Sequence, residues 1–417
     1  VPIDEDTPAT FEDGSTTKTV DGEGTYTVSP DGTVTFVPEK SFTGTASGVT
    51  VKRVDKNGTE ITAKYTPTVT PVTPTATPAE TTNIQGATQT GKPEFTEGDS
   101  RVPMNDDVPA TFDDGSTTKT VEGVGTYTVA ADGTVTFVPE KSFVGTAPAV
   151  TVVREDMNGT KASATYTPTV TPVTPTATPA VSTDIQGATQ TGKPEFTEGD
   201  SRVPMNDDVP ATFDDGSTTK TVEGVGTYTV AVDGTVTFVP EKSFVGEAPA
   251  VTVVREDVNG TKASATYTPT VTPVTPTADP ATSTDIQGQT QTGKPSFTPG
   301  NPSVPMDDDV PATFEDGSTT KVIPGEGTYT VSPDGTVTFV PEKSFTGTGT
   351  GVTVKRVDKN GTAITATYTP TVTPVTPTAE SVTSIGNKGQ TQTGKPSFTE
   401  GDSRVPMNNQ APATFDD

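Results

Sequence analysis

Hydrophobic and polar residues alternate with a period of two in the stretch Gly125–Phe143. Tyr127 and Phe137 each stand among alternating valines and threonines, and Asp132-Gly133 between the two runs supplies residues typical of a tight turn. The pattern predicts a β-hairpin with one apolar face. Because two strands alone are marginally stable in water, we expect further strands to cover that face.

Copies of this hairpin recur along the chain, at Gly24–Phe42, Gly226–Phe244 and Gly327–Phe345. The segment TGKP fixes the period, because it begins at residues 90, 191, 292 and 393, at intervals of 101 residues. Such a period is too long for a solenoid unit and suits one β-sandwich module. The sequence therefore predicts an all-β chain of tandem antiparallel β-sandwich-like modules of about 101 residues that form an elongated rod.

Further strands are predicted on both sides of the hairpin, joined by turns such as Asn158-Gly159. In the first complete repeat they are Thr90–Phe95, Pro109–Phe112, Lys119–Val121, Ala149–Arg154 and Thr160–Val170. The last of these places Tyr166 and Val170 on one face, and its proline predicts an edge strand.

A linker is predicted in the Thr/Pro stretch Thr167–Ala180, because closely spaced prolines favour an extended backbone. With this seam the chain divides into complete repeats at 78–178, 179–279 and 280–380. Residues 1–77 form a repeat that lacks its first strand, and 381–417 form the start of a further copy. The sequence thus has the pattern of an internal excerpt.

Composition favours strands over helices, since 40 prolines are scattered through the chain, leucine is absent and valine and threonine dominate the apolar runs. Only 29% of the residues are hydrophobic, which also matches the composition of disordered chains. The fixed spacing of the alternating runs argues against disorder. We expect thinly cored modules of modest stability.

The net charge of −27 argues against nucleic acid and anionic membranes as partners, because both repel an acidic surface. The chain has no cysteine, so no disulfide framework is possible, and no histidine. No signal peptide, apolar membrane-spanning run or lipidation motif is present in the sequence.

Catalytic chemistry has little support, because histidine bases, thiol nucleophiles and zinc sites built on histidine or cysteine are excluded. The paired carboxylates Asp106-Asp107 and Asp113-Asp114 flank turns and are interpreted as solvated loop acids. We therefore predict no enzyme activity, no catalytic residue, no cofactor and no metal site.

Calcium is the alternative to that prediction. Asp156-Met157-Asn158-Gly159 begins like an EF-hand loop but lacks its later ligands, so a hairpin turn is the preferred interpretation. The acidic cluster Glu97–Asp107 near the seam is the better cation candidate.

Three other motifs have plain structural interpretations. Asn57-Gly58-Thr59 matches the N-glycosylation acceptor pattern, but a turn requires Asn-Gly in any case. An intramolecular isopeptide bond would need a lysine, with Lys119, Lys141 or Lys92 as candidates, and an interior asparagine that the sequence does not provide. The PxxP run Pro71–Pro74 is interpreted as a stiff spacer and not as a ligand for an aromatic groove.

The wording GTYTV…DGTVTFVPEKSF…VTVKRVDKNGT…YTPTVTPVTPT, with its period of 101, resembles the CshA-type fibril repeat of streptococcal cell-wall-anchored surface adhesins over essentially the whole chain. Ala149 and Val153 in the second copy depart modestly from Gly48 and Lys52 in the first. The resemblance implies β-rich modules in long surface fibrils, with adhesion by an N-terminal region and a C-terminal anchor, both outside these residues.

The resulting hypothesis is a structural stalk that projects an adhesive tip from a bacterial cell wall. Its partners would be neighbouring repeats of the same chain, with host extracellular matrix or other bacterial surface proteins contacted by regions outside it, and no membrane contact. The expected location is extracellular, at the cell surface. The alternative is that each repeat is a weak binding module for a matrix protein or glycan, acting through avidity.

Overall fold

The computed structural model describes residues 1–415, so the partial copy predicted at 381–417 extends two residues beyond it. No helix in this part of the chain is long and apolar enough to cross a membrane. The first copy contains β1 (Thr10–Phe11), β2 (Thr17–Val20), β3 (Gly24–Val28), β4 (Val34–Pro38), β5 (Gly44–Thr45), β6 (Val49–Val54), β7 (Glu60–Tyr65) and β8 (Thr68–Val69).

The second copy adds strands before the hairpin. Its strands are β9 (Thr75–Thr77), β10 (Ala79–Ile84), β11 (Gln89–Gly91), β12 (Glu94–Thr96), β13 (Thr111–Phe112), β14 (Thr118–Val121), β15 (Gly125–Val129), β16 (Val135–Pro139), β17 (Gly145–Thr146), β18 (Val150–Glu155) and β19 (Lys161–Thr171).

The remaining copies follow the same order of strands. The third contains β20 (Thr176–Thr178), β21 (Ala180–Ile185), β22 (Gln190–Gly192), β23 (Glu195–Thr197), β24 (Thr212–Phe213), β25 (Thr219–Val222), β26 (Gly226–Val230), β27 (Val236–Pro240), β28 (Gly246–Glu247), β29 (Val251–Glu256) and β30 (Lys262–Thr272). The fourth and the partial copy contain β31 (Thr277–Asp279), β32 (Ala281–Ile286), β33 (Gln291–Gly293), β34 (Ser296–Thr298), β35 (Thr313–Phe314), β36 (Thr320–Ile323), β37 (Gly327–Val331), β38 (Val337–Pro341), β39 (Gly347–Thr348), β40 (Val352–Val357), β41 (Ala363–Thr373), β42 (Thr378–Glu380) and β43 (Ser397–Thr399).

Two compact units make up the described chain. The first unit contains Val1–Thr176, Phe196–Asn206 and Arg255–Ala263, and the second contains Ala177–Glu195, Asp207–Val254 and 264–415. The second copy of the repeat therefore lies within the first unit and the fourth copy within the second unit. These two copies define the fold of the repeat.

The predicted hairpin is confirmed as strands β15 and β16. Tyr127 lies opposite Phe137 in the antiparallel register, and their ring centroids are 4.6 Å apart. At the turn, Gly133 adopts a φ of 88°, and Asp132 Oδ1 accepts a hydrogen bond from Thr134 N at 3.0 Å. The turn uses glycine because few other residues tolerate positive φ, and aspartate because its carboxylate accepts a hydrogen bond from the backbone amide two residues on.

Each repeat is a β-sandwich, as predicted. In the second copy one sheet has the order β11-β16-β15-β14 and the other has the order β10-β19-β18-β13, with β17 also paired to β19. The same two sheets recur in the fourth copy as β33-β38-β37-β36 and β32-β41-β40-β35. The buried side chains of the second copy's core are mainly aromatic and branched: Phe112, Tyr127, Val135, Phe137, Val152, Tyr166 and Val170.

The prediction of a last strand at the sheet edge is wrong. Strand β19 is central, because β10 pairs with it in parallel, from Ala79 opposite Tyr166 to Ile84 opposite Thr171. Pro168 fits inside the sheet because it still accepts a hydrogen bond at its carbonyl, from Ala147 N at 2.9 Å. The missed strand has the sequence AETTNI, whose apolar residues stand only at its two ends.

The Thr/Pro stretch is also more ordered than a linker. Strand β19 continues to Thr171, Val173 is buried, and Thr176–Thr178 forms strand β20. At the preceding seam, β9 pairs with β12, with Ala76 opposite Phe95. The strand predicted at Thr90–Phe95 is divided between β11 and β12. The residues around each seam are therefore paired with neighbouring strands. The prolines there direct the path of the chain between repeats and do not form a flexible linker.

Candidate functional site: the junction between consecutive repeats

Three of the paired carboxylates, Asp106, Asp113 and Asp114, lie at the surface in ion pairs. Lys119 Nζ is 2.8 Å from Asp113 Oδ1 and 3.4 Å from Asp114 Oδ2, and Arg154 Nη2 is 2.6 Å from Asp106 Oδ1. The hydrogen bond from Lys119 lowers the pKa of Asp113, and hydrogen bonds from Ser116 lower the pKa of Asp114. A carboxyl acting as general acid near neutral pH needs a raised pKa, so this chemistry is not supported at Asp113 or Asp114.

The cation candidates have local roles. Asp156 Oδ1 accepts hydrogen bonds from Asn158 N at 2.9 Å and Thr160 N at 2.8 Å, which closes the turn between β18 and β19. In the acidic cluster, Asp99 pairs with Arg101 at 2.8 Å. Within residues 1–415, no three acidic side chains form a group that could hold a metal ion.

The isopeptide candidates are engaged elsewhere. Lys119 is bound to Asp113, and Lys92 Nζ lies 2.8 Å from Asp132 Oδ2. Lys141 Nζ donates to the backbone oxygen of Val258 in the next repeat at 3.2 Å. None of these three hydrogen bonds joins a lysine to an asparagine side chain. The Lys141 bond instead leads to the place where two repeats meet inside the first unit.

Gln85 organises this junction. Its side chain is 6% exposed, and its Nε2 donates to the Lys141 backbone oxygen at 2.8 Å while its Oε1 accepts from Val173 N at 3.2 Å. Its backbone N donates to Thr171 O at 2.8 Å. A buried amide costs free energy unless it is hydrogen-bonded, and here both ends of the amide have partners. Gln85 therefore ties the end of β10 to the chain that leaves the repeat.

The next repeat binds to the same residue. Asn259 Nδ2 donates to the backbone oxygen of Gln85 at 3.0 Å. Gly86 follows with a φ of 79°, and a Cβ there would lie 2.5 Å from Asn259 Oδ1. Glycine is thus required both for the backbone conformation and for the approach of the asparagine. Asn259 is the counterpart of the asparagine in the Asn57-Gly58-Thr59 motif. The turn that this motif forms therefore also makes a contact between consecutive repeats.

Charged side chains flank the junction. Arg202 Nη1 donates to Asn83 Oδ1 at 3.2 Å, and Asp200 holds the same guanidinium at 3.0 Å. The hydrogen bond with Asp200 raises the pKa of Arg202, while that of Asp200 is lowered by its bonds from Arg202. The pair stays charged over the ordinary pH range and orients the guanidinium towards the preceding repeat.

The second unit contains the same junction one period later. Asn360 Nδ2 donates to Gln186 O at 2.8 Å, and Gln186 Nε2 donates to Lys242 O at 2.9 Å. Gln186 Oε1 accepts from Val274 N at 3.3 Å, and a Cβ on Gly187 would lie 2.3 Å from Asn360 Oδ1. Two junctions in separate units thus use the same residue types and the same hydrogen bonds.

The last junction is only partly contained in the sequence, because the counterpart of Asn259 and Asn360 lies beyond residue 417. Gln287 Nε2 still donates to Lys343 O at 2.9 Å, but the position of the next glutamine is occupied by Lys388. The partial copy contacts the fourth through Arg404, whose Nη1 lies 2.8 Å from Asp285 Oδ1. The glutamine is only partly buried here.

Sequence reasoning missed this site. It assigned the Asn-Gly motif to a turn and gave no role to Gln85 or Gln186. The available signal was the recurrence of Gln-Gly at residues 85, 186 and 287 and of Asn-Gly at residues 57, 158, 259 and 360, both at intervals of 101 residues. Their proximity could not be inferred, because Gln85 and Asn259 are 174 residues apart in the chain.

Comparison with known proteins supports a repeat architecture. The sequence profile of the surface adhesin CshA repetitive domain matches residues 1–69, 71–170, 172–271, 273–372 and 374–417. A comparison with the sequences of curated proteins found no match.

The solved structures that align with the chain share little sequence with it. The protocadherin GammaB4 extracellular domain aligns over 93% of this chain and 67% of its own, at 11% identity and a TM-score of 0.35. Drosophila N-cadherin EC1-4 aligns over 86% and 92%, at 12% identity and a TM-score of 0.23, and the I9-I11 tandem of titin over 72% and 97%, at 12% and 0.27. The profile match covers nearly the whole sequence, and the chain belongs to the family of surface adhesin CshA repetitive domains.

Proposed function

We propose that this chain is a structural, non-enzymatic stalk segment of a bacterial surface adhesin and projects an adhesive tip away from the cell wall. The observation that carries the proposal is the repeated junction, in which a glutamine of one repeat binds an asparagine of the next by the same hydrogen bond in both units. A stalk needs connections that are the same at every step, whereas an enzyme or a ligand site has no such requirement.

The mechanism is a resistance to bending at each junction. The Gln85 side chain ties the departing chain to its own repeat, and Asn259 fixes the following repeat to the same backbone. Hydrogen bonds of this kind contribute about 1 kcal/mol each. Bending a junction breaks several of these hydrogen bonds together. It therefore costs more free energy than bending a flexible Pro/Thr linker.

Surface charge also favours an extended stalk. The net charge of −27 makes neighbouring repeats and neighbouring stalks repel each other. This repulsion acts over about 8 to 10 Å at physiological ionic strength. The proposal takes 78–178, 179–279 and 280–380 as the repeats, and it places the cell-wall anchor and the contacts to host matrix or other surface proteins outside these residues.

Small-angle X-ray scattering of the chain, with electron microscopy, tests the proposal. We expect an elongated string of modules, and a compact globule would contradict it. The double variant N259A/N360A removes both junction amides, and we expect a broader distribution of particle lengths with a shorter mean. The matched control is N158A, because Asn158 has the same place in its turn but no junction glutamine among the residues before it. Equal effects of the two changes would contradict the proposed role of the junctions.

The alternative of a weak ligand site on each repeat is not favoured by a specific feature of the described residues. It predicts a binding response to matrix proteins or glycans that grows with repeat number. The stalk predicts no response from this chain at any concentration at which the modules remain folded.

A further inference from the structure

The asparagine that makes the junction contact is followed by a glycine, and the turn holds both residues in hydrogen bonds. In the first unit Asn259 Nδ2 donates to the backbone oxygen of Gln85 at 3.0 Å, and Asn259 N donates to Asp257 Oδ1 at 2.9 Å. Gly260 N donates to the backbone oxygen of Asp257 at 2.9 Å. The side-chain amide of Asn259 is therefore bound to the preceding repeat, while the amide of Gly260 is bound within its own turn.

Asparagine followed by glycine is prone to deamidation, because glycine has no Cβ to hinder the backbone from folding back on the asparagine side chain. The nitrogen of Gly260 attacks Asn259 Cγ. A bond forms between these two atoms, the Cγ–Nδ2 bond breaks, and the proton of the attacking nitrogen leaves with Nδ2 as ammonia. Water then opens the resulting succinimide ring at either carbonyl and returns a proton to the Gly260 nitrogen. The product is aspartate or isoaspartate, and nothing is oxidised or reduced.

The closed junction opposes this reaction at both reacting groups. The Gly260 nitrogen must first give up its hydrogen bond to Asp257, a residue that is fully buried. The Asn259 amide must turn towards that nitrogen, and it then loses its hydrogen bond to Gln85. A reaction that requires such an opening proceeds only from the open population, so the free energy of opening sets its rate.

The product of the reaction cannot restore the junction contact. Asn259 contributes a hydrogen-bond donor, whereas an ionised aspartate only accepts hydrogen bonds. Its oxygens would face the carbonyl oxygen of Gln85, and two acceptors repel each other. Isoaspartate in addition lengthens the main chain of the turn by one carbon atom. A junction that opens and reacts therefore stays altered, unlike a junction that opens and closes again.

The second unit repeats the arrangement one period later. Asn360 Nδ2 donates to the backbone oxygen of Gln186 at 2.8 Å, and Asn360 N donates to Asp358 Oδ1 at 3.0 Å. Gly361 N donates to the backbone oxygen of Asp358 at 2.9 Å, and Asp358 is fully buried as well. Two separate turns thus hold an Asn-Gly pair in the same hydrogen bonds, so the arrangement is a property of the repeat.

We propose that Asn259 and Asn360 are deamidation sites that the closed junction protects, so that a junction which opens is converted to aspartate or isoaspartate and loses its contact permanently. The proposal rests on the contact between glutamine backbone and asparagine side chain and not on the role of the chain as a stalk. Repeats that have been bent apart accumulate the modification, and each conversion adds one negative charge to a chain whose net charge is already −27.

Peptide mapping by mass spectrometry, after incubation of the 417-residue chain at mildly alkaline pH, measures the deamidation rate of each asparagine. The reference is the same chain in concentrated urea, where every Asn-Gly pair is free to react. We expect Asn259 and Asn360 to react more slowly in the folded chain than in urea. Equal rates under the two conditions would overturn the proposal.

Two reciprocal variants separate protection by the junction from protection by the turn. G86V would place a Cβ 2.5 Å from Asn259 Oδ1, and G187V would place one 2.3 Å from Asn360 Oδ1, so each displaces one junction amide and leaves the turn residues unchanged. We expect G86V to raise the rate at Asn259 about tenfold, which corresponds to about 1.4 kcal/mol. It should leave Asn360 unchanged, and G187V should do the reverse, so that each variant is the matched control of the other.

Three results of this comparison would contradict the proposal. Rates that neither variant changes would show that the turn alone protects the asparagine. Rates that each variant raises equally at both sites would show a general loosening of the chain. Hydrogen exchange of the Gly260 and Thr261 amides in G86V should stay slow, because their bonds to Asp257 lie within one repeat. Loss of that protection would show that the junction and the turn do not act separately.

The permanent loss of the contact is tested with N259D and N360D, which carry the aspartate product from the start. We expect N259D to increase hydrogen exchange in residues 84–88 and N360D to increase it in residues 185–189, because each segment loses the side chain that covers it. Each variant introduces the same charge, and neither should affect the other junction. Unchanged exchange in both segments would overturn the claim that the product cannot restore the contact. These readouts do not depend on the shape of the chain, so they are independent of the test of the stalk.

Discussion

The first and second copies of the repeat have similar sequences but differ in how well they are covered. Both contain the hairpin, with Tyr26 opposite Phe36 in one and Tyr127 opposite Phe137 in the other. Tyr65 is 39% exposed in the first copy, while Tyr166 is fully buried in the second. The difference comes from residues 79–96, which place β10 beside β19 and β11 beside β16 and which we call the closing segment; residues 1–77 do not include its counterpart. It teaches that the hairpin shares the core with the strands of the opposite sheet, while a polar segment of the chain decides whether that core is sealed.

The largest effect is expected for G91V in the second copy, which should make this copy resemble the first. Its Cβ would lie 2.2 Å from Tyr166 Cε2 and would force the closing segment away from the sheet. We expect a loss of about 3 kcal/mol in the stability of the second copy. Hydrogen-exchange mass spectrometry should show that β19 loses protection and approaches the exchange of β7.

The control for this experiment is T90V, because Thr90 is exposed and adjacent in the same strand. If G91V left the protection of β19 unchanged, the closing segment would not be responsible for the difference between the two copies.

High pH is expected to destabilise the second copy by on the order of 2 kcal/mol through the titration of Tyr127. Burial raises the pKa of Tyr127 to about 12, whereas an unfolded tyrosine titrates near 10. Between these values the unfolded chain loses a proton that the folded chain keeps, so stability is complete below pH 10 and falls as the pH rises towards 12. Tyrosinate absorbance and circular dichroism measure this together.

The replacement Y127F tests the assignment of this pH dependence. It removes the titrating hydroxyl and should flatten the alkaline loss of stability in the second copy. A chain in which Y127F left the alkaline profile unchanged would require another titrating group.

A smaller effect is expected from removing the hydroxyl at the closing segment. Y166F loses the hydrogen bond between the Tyr166 hydroxyl and Thr81, which should cost about 1 kcal/mol. Y65F in the first copy is the matched change at an exposed position and should leave stability unaltered within error. Urea unfolding monitored by hydrogen exchange of each copy distinguishes the two. Equal losses would show that burial of Tyr166 carries no energetic weight.

The smallest effect is expected at the surface ion pair between Lys92 and Asp132. The hydrogen bond from Lys92 is the main cause that lowers the pKa of Asp132, so K92M should move that pKa back towards the ordinary range. Carboxyl titration by NMR measures the shift, and Asp334, whose own lysine is untouched, is the internal control. An unchanged titration of Asp132 would show that its turn amides alone set the pKa.

Sequence patterns predicted much of the fold because its strands carry strong local signals. The hairpin, the strand near Ala149–Arg154 and the last strand all alternate apolar and polar residues, and the structure has them within one residue of the predicted starts. Strand β10 was missed because the sequence AETTNI has little apolar content. Its place in the sheet follows from pairing with β19, and such pairing leaves no mark on the hydrophobic pattern.

Buried polar residues were the other feature that the sequence patterns did not predict. Glu326 is a charged residue of a type usually found at the surface. It is nevertheless buried, and it accepts hydrogen bonds from the Tyr329 hydroxyl and from Thr350 N at 2.9 Å. In the second copy the equivalent Tyr127 hydroxyl instead donates to Pro148 O at 2.8 Å. Gln85 is a similar case at the junction. A polar side chain becomes a core residue only when the folded chain supplies its hydrogen-bond partners.

By itself the sequence determined the repeat, its period, its all-β class and the apolar face of the hairpin, because all of these depend on neighbours within a few residues or on plain recurrence. Only the tertiary structure decided that the polar closing segment completes the sandwich and that Gln85 and Asn259 meet between repeats. The physical reason is that these contacts depend on hydrogen bonds between distant polar groups, whose strength comes from geometry and burial and not from residue type.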